Sequence, residues 1–222
     1  MHYLIALLMV YPIAKYIAPL IYHPWLRKIV GLENIPKDTA FIIAANHSSY
    51  YDTLLPYTIL TVRLNKQIHS LSNNRYWKIS AAGAILDWGQ CIPVYVGKDY
   101  DAKKNMQALK KAGDFLKKGH IIQIFPEGTR SLDGKLKKGH EGIAKLALKA
   151  KVPVVPFGII GSNKVLPKGK FFPRFTRCDV KIGKPIYLNQ YYKKRITKKI
   201  LKQATDNIMK ELAKLIGQKY EP

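Results

Sequence analysis

The chain has 222 residues, enough for one large domain with a substantial core, and 47% of them are apolar, which excludes a disordered chain. Lys and Arg number 38 against 14 Asp and Glu, a formal charge of +24. Self-repulsion of that size calls for an anionic partner, which leaves nucleic acid, an anionic membrane surface, or acidic protein and phosphate ligands. Cys91 and Cys178 lie far apart and form no ligand pair, so a reducing compartment is implied and no disulfide is needed.

The N-terminus favours a membrane over the other partners. Residues 3–14 carry no charge, Lys15 interrupts, and residues 16–25 continue mostly apolar with Pro19 and Pro24. A spanning helix needs about 20 apolar residues, which this stretch reaches only by including Lys15, Pro12 and Pro19. The prolines favour a broken helix or short helical hairpin lying in the interface. A single tilted span and a core helix are the alternatives. Tyr3, Tyr11, Tyr16, Tyr22 and Trp25 suit an interfacial belt, and Arg27 and Lys28 would hold the following chain on the cytoplasmic side of the cell membrane. The sequence therefore divides into a membrane-anchoring helical segment, 1–30, and a second part, 31–222. The positive charge of the latter suits an anionic leaflet, where each nearby cation contributes about 1 kcal/mol.

Residues 40–45 form a short apolar run that reads as a buried strand. Asn46-His47-Ser48-Ser49-Tyr50-Tyr51-Asp52 follows it directly. On one regular helix, five residues turn through about 140°, so His47 and Asp52 would diverge. They converge if His47 lies in the turn and Ser48 or Ser49 caps a helix whose first turn carries Asp52. Asp52 then accepts a hydrogen bond from one ring nitrogen and leaves the other free as a base, which gives the base and orienter of a triad. No Gly-x-Ser-x-Gly elbow supplies a nucleophile, so the attacking hydroxyl would come from a substrate. A polar turn is the plainer reading of His-x4-Asp taken alone.

A helix is expected through residue 64, beginning at Leu54 or after Pro56. A strand follows at 67–71 and a helix at 76–86. The next strand, 91–96, contains Pro93, which belongs at an edge or a bulge. Lysines at 103/104, 110/111 and 117/118 mark one face of a helix, with Met106, Leu109, Ala112 and Leu116 on the other and Gly119 as its C-cap. Strand 121–125, helix 141–150, strand 152–160 and strand 179–182 follow. Residues 181–202 hold eight Lys or Arg and no acid, and Ile196, Ile200, Ile208, Leu212 and Leu215 give a basic amphipathic helix, solvated or lying on a membrane. Alternating strands and helices specify an α/β fold with a mainly parallel central sheet flanked by helices, preceded by the N-terminal membrane-associating segment.

Phe125-Pro126-Glu127-Gly128-Thr129-Arg130-Ser131 also follows a strand end. Ligands of open α/β sheets bind beyond the carboxyl ends of strands, so this cluster and His47 can face one crevice. Gly128 lets backbone approach a ligand, and Arg130 offers a fork matched to phosphate. Thr129 and Ser131 add hydroxyls, and Glu127 would hold a substrate hydroxyl or fix Arg130. A Glu–Arg pair in a structural turn is the alternative, as is metal binding by His47, Asp52 and Glu127, which lacks a supporting ligand cluster.

Taken together, these residues resemble the glycerolipid acyltransferase family, closest to 1-acylglycerol-3-phosphate acyltransferases, over roughly residues 31–185. Asn46-His47-x4-Asp52 is similar to the family's first block, residues 125–131 to its third, and Val152-Pro153-Val154-Val155-Pro156 to its fourth. The resemblance implies transfer of a fatty acyl group from acyl-CoA or acidic acyl carrier protein to the glycerol hydroxyl of a lysophospholipid, lysophosphatidate first. It implies His47 and Asp52 as catalytic residues and Glu127, Gly128, Thr129, Arg130 and Ser131 as substrate-binding ones. No metal or redox cofactor is called for. One block departs: Tyr95 and Val96 stand where the family carries an arginine, with Lys98 the nearest cation, so the acceptor head group is open. Another lysophospholipid or a glycolipid is one rival acceptor, and water is another, which would make a thioester hydrolase. A basic nucleic-acid-binding protein is disfavoured, because no nucleic-acid motif accompanies the charge.

Overall fold

Apolar runs without alternation need cover on both faces, and the chain meets that need with a central sheet between two layers of helices. The computed structural model describes residues 16–20, 22–64, 66–167, 170 and 172–221. Most of the expected anchoring segment, 1–15 and 21, lies outside the described residues. The strands are β1 (Leu26–Val30), β2 (Ile42–Ala45), β3 (Ile68–Asn73), β4 (Ile92–Val94), β5 (Ile121–Ile124), β6 (Val154–Ile160) and β7 (Cys178–Ile182). The helices are α1 (Tyr51–Leu64), α2 (Ser80–Trp88), α3 (Ala102–Lys117), α4 (Gly142–Ala150), α5 (Ser162–Val165) and α6 (Lys198–Ile216).

The sheet order is β1-β7-β6-β2-β5-β3-β4. Every pairing is parallel except β6 with β7. β2 is central, with Ile43 opposite Gln123 on one side and Val155 on the other. Its side chains alternate between two cores. Ile42 and Ala44 pack with Ala112, Leu116, Ile143 and Ile208 from α3, α4 and α6. Phe41, Ile43 and Ala45 pack with Leu55 and Ile59 from α1 and with Val155 and Val180. The mainly parallel sheet flanked by helices is as the sequence specifies.

Several boundaries differ from expectation for identifiable reasons. β1 lies in 26–30, so the globular part begins before residue 31. Its charged Arg27 and Lys28 conceal an edge strand that pairs with β7. α1 starts at Tyr51, ahead of Pro56, because the Ser49 hydroxyl accepts the Tyr51 amide at 3.1 Å and initiates the helix early. The expected helix at 76–86 is split into a 3-10 turn, Asn74–Lys78, and α2, because the Asn73 side chain accepts from the Arg75 amide and tightens the chain there. On α3, Ala108, Ala112 and Leu116 are buried and Met106 is exposed. β4, with Pro93, is the other edge strand, where a missing donor is tolerated. α6 buries Ala204, Ile208, Met209 and Leu212, so its apolar face is taken up by the protein itself. No helix among the described residues is long and apolar enough to cross a membrane.

Candidate active site

β2 and β5 are adjacent and parallel, so the loops leaving their carboxyl ends meet. The first begins at Asn46. Its side-chain amide donates to the Ile159 carbonyl (2.8 Å) and accepts from the Ile159 N–H (2.7 Å), adding a side-chain rung between β2 and β6. The chain turns at Ser48 and Ser49, whose N–H groups both donate to Asp52 Oδ2 at 2.6 and 2.7 Å. This carboxylate, fully buried in the first turn of α1, therefore folds its own loop back over itself. The same oxygen lies 3.2 Å from His47 Nδ1. A carboxylate only accepts, so Nδ1 carries the proton and Nε2 keeps its lone pair. The His47 ring stacks on Phe125, centroids 3.9 Å apart, and stays partly exposed while Asp52 does not.

The second loop is tied to the first through the backbone. The Ser131 N–H donates to the His47 carbonyl at 2.7 Å. Glu127 Oε1 accepts from the His47 N–H at 2.7 Å and Oε2 from the Lys137 N–H at 2.9 Å. Both oxygens of Glu127 thus accept from backbone N–H groups of the two loops, and the side chain is buried. Burial pushes its carboxyl up to about 7, opposed by those two N–H donors. Ser131 is likewise buried, its hydroxyl donating to Asp133 at 2.9 Å. Thr129 is exposed. Gly128 has φ +65°, and a Cβ there would stand 2.9 Å from His140 Cδ2, so it makes room for that imidazole.

Arg130 is the unusual member. Only 7% of it is exposed, and its Nη1 is buried with no acceptor. Its guanidinium carbon sits 3.5 Å from the centroid of the Tyr50 ring, a stacked cation–π contact. A buried donor without a partner is costly, and an anion would supply the missing acceptor. Tyr50 in turn meets Tyr76 edge-on, with Arg75 over Tyr76. An open groove of about 540 Å³ is lined by Glu127, Lys137, Lys138, Gly139, His140 and Glu141.

The structure thus brings His47, Asp52, Glu127, Gly128, Arg130 and Ser131 to one place. Sequence reasoning missed Phe125 and Tyr50 as the rings that hold His47 and Arg130. Both stand inside the quoted stretches, yet nothing in their spacing marks a stacking role. At the departing block, Asn105 clasps both the N–H and the carbonyl of Tyr95 at 2.8 Å, and Lys104 lies over its ring.

Fold and loops define a class: mixed α/β proteins with an imidazole–carboxylate couple and a buried guanidinium at neighbouring parallel strand ends. Within that class, the chain belongs to the Acyltransferase family, whose model matches residues 27–160. It is 34% identical over 179 residues to a chloroplastic 1-acyl-sn-glycerol-3-phosphate acyltransferase of Brassica napus, across 79% of this chain and 49% of that protein. The chain therefore spans about half the length of that relative. It is 31% identical over 144 residues to the 1-acyl-sn-glycerol-3-phosphate acyltransferase of Bacillus subtilis, across 64% of this chain and 68% of that protein. Its fold is similar to the crystal structure of the 1-acyl-sn-glycerophosphate acyltransferase of Thermotoga maritima, with TM-score 0.65 and 24% identity over 94% of this chain and 85% of that one.

Proposed function

We propose that the protein transfers a fatty acyl group from a thioester donor, acyl-CoA or acyl carrier protein, to the free glycerol hydroxyl of lysophosphatidate, giving phosphatidate. The observation that carries this reading is the meeting, at adjacent strand ends, of His47 hydrogen-bonded to Asp52 with a buried Arg130 whose Nη1 lacks an acceptor. Family membership supplies the reaction class.

His47 Nε2 takes the proton of the acceptor hydroxyl as its oxygen bonds to the thioester carbonyl carbon. Asp52 holds the ring through Nδ1 and stabilises the imidazolium that forms. Collapse of the tetrahedral intermediate breaks the carbon–sulfur bond, and Nε2 returns the proton to the departing thiolate. Arg130, kept in plane by Tyr50, binds the acceptor phosphate as a bidentate fork. Lys137 and Lys138 give the neighbouring groove a charge suited to the anionic carrier of the donor. The N-terminal segment seats the enzyme on the cytoplasmic face of the cell membrane, where both lipid substrates reside. No resident cofactor enters the scheme.

Tyr95-Val96, in place of the arginine expected after β4, favours a second reading with the same chemistry on another lysophospholipid or a glycolipid. A product screen decides between them. Purified protein, a thioester donor and a panel of lysolipids with and without phosphate should give phosphatidate from lysophosphatidate, and Arg130→Ala should raise KM for that acceptor with a smaller change in kcat. Equal turnover of phosphate-free acceptors would move the assignment to the second reading. Free fatty acid without diacyl product would make the protein a hydrolase.

A further inference from the structure

The chain leaves β4 through Tyr95 and Val96 without a guanidinium, yet the strand end beside it carries one. β3 and β4 pair in parallel with Asn73 opposite Val94, so Arg75 and Val96 each stand two residues beyond a paired position. β3 also pairs with β5, whose loop carries Arg130, whereas β4 lies one strand farther out. Neighbouring strands are about 4.8 Å apart, so the connection that carries Arg75 leaves the sheet that much nearer to Arg130 than residues 95–96 do. The Asn73 side chain accepts the Arg75 N–H at 3.0 Å and caps the 3-10 turn Asn74–Lys78, which fixes where this connection starts.

The Arg75 guanidinium lies over the Tyr76 ring, 5.1 Å from its centroid, and Nη2 donates to the Tyr76 hydroxyl at 3.2 Å. Tyr76 meets Tyr50 edge-on with centroids 6.4 Å apart, and Tyr50 carries Arg130 on its face. Two guanidiniums thus stand at the two ends of one run of ring contacts. Among the described residues, neither is ion-paired with a carboxylate. Burial raises the Tyr76 phenol, but Arg75, the Tyr50 hydroxyl and Arg130 outweigh it and hold the phenol below its ordinary value, so both positive fields meet at this ring. Like charges gathered without a carboxylate repel, and an anion between them removes that cost. The buried Arg130 Nη1, which has no acceptor, has the same requirement. Arg75 is exposed, so a ligand can reach its remaining N–H donors. We propose that Arg75 is a specificity-determining residue, which with Arg130 forms a two-cation seat for a phosphate monoester, Arg130 binding it from within and Arg75 from the solvent side. A monoester carries a charge of about −1.5 to −2 at pH 7, whereas a phosphodiester carries a single one, and the second guanidinium reads that difference. The proposal rests on the acyl-transfer reading for the identity of the ligand as lysophosphatidate, and on the geometry alone for the anion seat.

The test uses the full chain in nonionic detergent with two probes, lysophosphatidate as the monoester and lysophosphatidylglycerol as the diester. Calorimetric titration without a donor gives Kd, and steady-state rates with a thioester donor give KM and kcat. Arg75→Ala should raise Kd and KM for lysophosphatidate about tenfold to hundredfold, with kcat changed less than about twofold. Binding of lysophosphatidylglycerol should weaken less than about threefold, so that discrimination between the two collapses. Arg75→Lys should fall between wild type and Arg75→Ala, because it keeps the charge and loses the fork. Unchanged Kd and KM in Arg75→Ala overturn the proposal, and so does an equal loss on both lipids, which would make Arg75 a general lipid contact. Equal losses in Arg75→Lys and Arg75→Ala, or a fall in melting temperature with Kd unchanged, overturn it as well, since Arg75 would then only brace Tyr76. Product formed by Arg75→Ala with wild-type KM would sink this assignment and leave acyl transfer standing. An Arg75-dependent Kd in a protein that yields no acylated product would sink the enzyme reading and leave the anion seat intact.

Discussion

Two histidines in this molecule stack on phenylalanines, one at each end of the same sheet, and only one of them has the makings of a site. At the carboxyl end, His47 lies on Phe125, with centroids 3.9 Å apart. At the amino end, His69 of β3 lies on Phe115 of α3 at 3.7 Å. Each uses Nδ1 for a hydrogen bond: His47 to the Asp52 carboxylate, His69 to the Gln90 carbonyl at 3.2 Å. The difference lies at Nε2. His47 keeps its own open, whereas the Nε2 of buried His69 meets Nδ1 of the half-buried His120 at 2.8 Å. Since a carbonyl only accepts, His69 donates through Nδ1, and His120 must be the donor between the two rings. A ring packed on an aromatic is thus neutral evidence. What separates a base from a core histidine is an ionisable orienter on one nitrogen and access on the other.

The sharpest way to break that contrast is to remove each ring in turn. His47→Ala should lower the proposed acyl transfer by about 10²–10⁴-fold with the melting temperature nearly unmoved. His69→Ala should leave kcat alone and lower stability, because it empties a buried site. Steady-state rates and thermal melts on both variants check this. Full activity in His47→Ala would end its assignment as base.

A smaller effect is expected at Glu127, which joins the two catalytic-end loops through backbone amides. Glu127→Gln keeps the shape but offers one acceptor where two backbone N–H groups, of His47 and Lys137, need two. One amide then faces an NH2 group, at a cost of about 1–3 kcal/mol in stability. Displacement of His47 should lower kcat by up to about 10²-fold with KM for the lysolipid little changed. A KM effect without a kcat effect would return Glu127 to the substrate contacts proposed from sequence alone.

What the sequence disclosed follows the same physical divide. β2, β5 and β6 were legible because burial on both faces leaves uninterrupted apolar runs, and Pro93 marked β4 as an edge because proline cannot donate to a ladder. β1 was not, since an edge strand with outward Arg27 and Lys28 has no apolar signature and its partner β7 is remote in sequence. The meeting of His47, Asp52 and Arg130 followed from strand ends and spacing. The duty of Glu127 to backbone amides and the seat of Arg130 on Tyr50 did not, because both depend on how two loops pack against each other rather than on any periodicity within either.

The amino-end pair gives the mildest prediction, and one that depends on pH. Burial, together with the neighbouring His120 and Lys111, pushes His69 down to about 4, the Gln90 carbonyl opposing; burial and Lys118 lower His120 as well. For a histidine whose folded pKa lies below its unfolded value of 6.5, the unfolded chain binds more protons between the two. Stability from this group is therefore full above about 6.5 and declines as pH falls toward 4, by about 2 kcal/mol at pH 5. Acidification also builds on the +24 charge, so the wild-type profile alone does not isolate the pair. His69→Gln does. Its amide can donate to the Gln90 carbonyl and accept from His120 while carrying no titratable proton. Urea midpoints from pH 7 to pH 5 should fall less in this variant than in the wild type, and parallel profiles would mean that His69 does not contribute to acid lability.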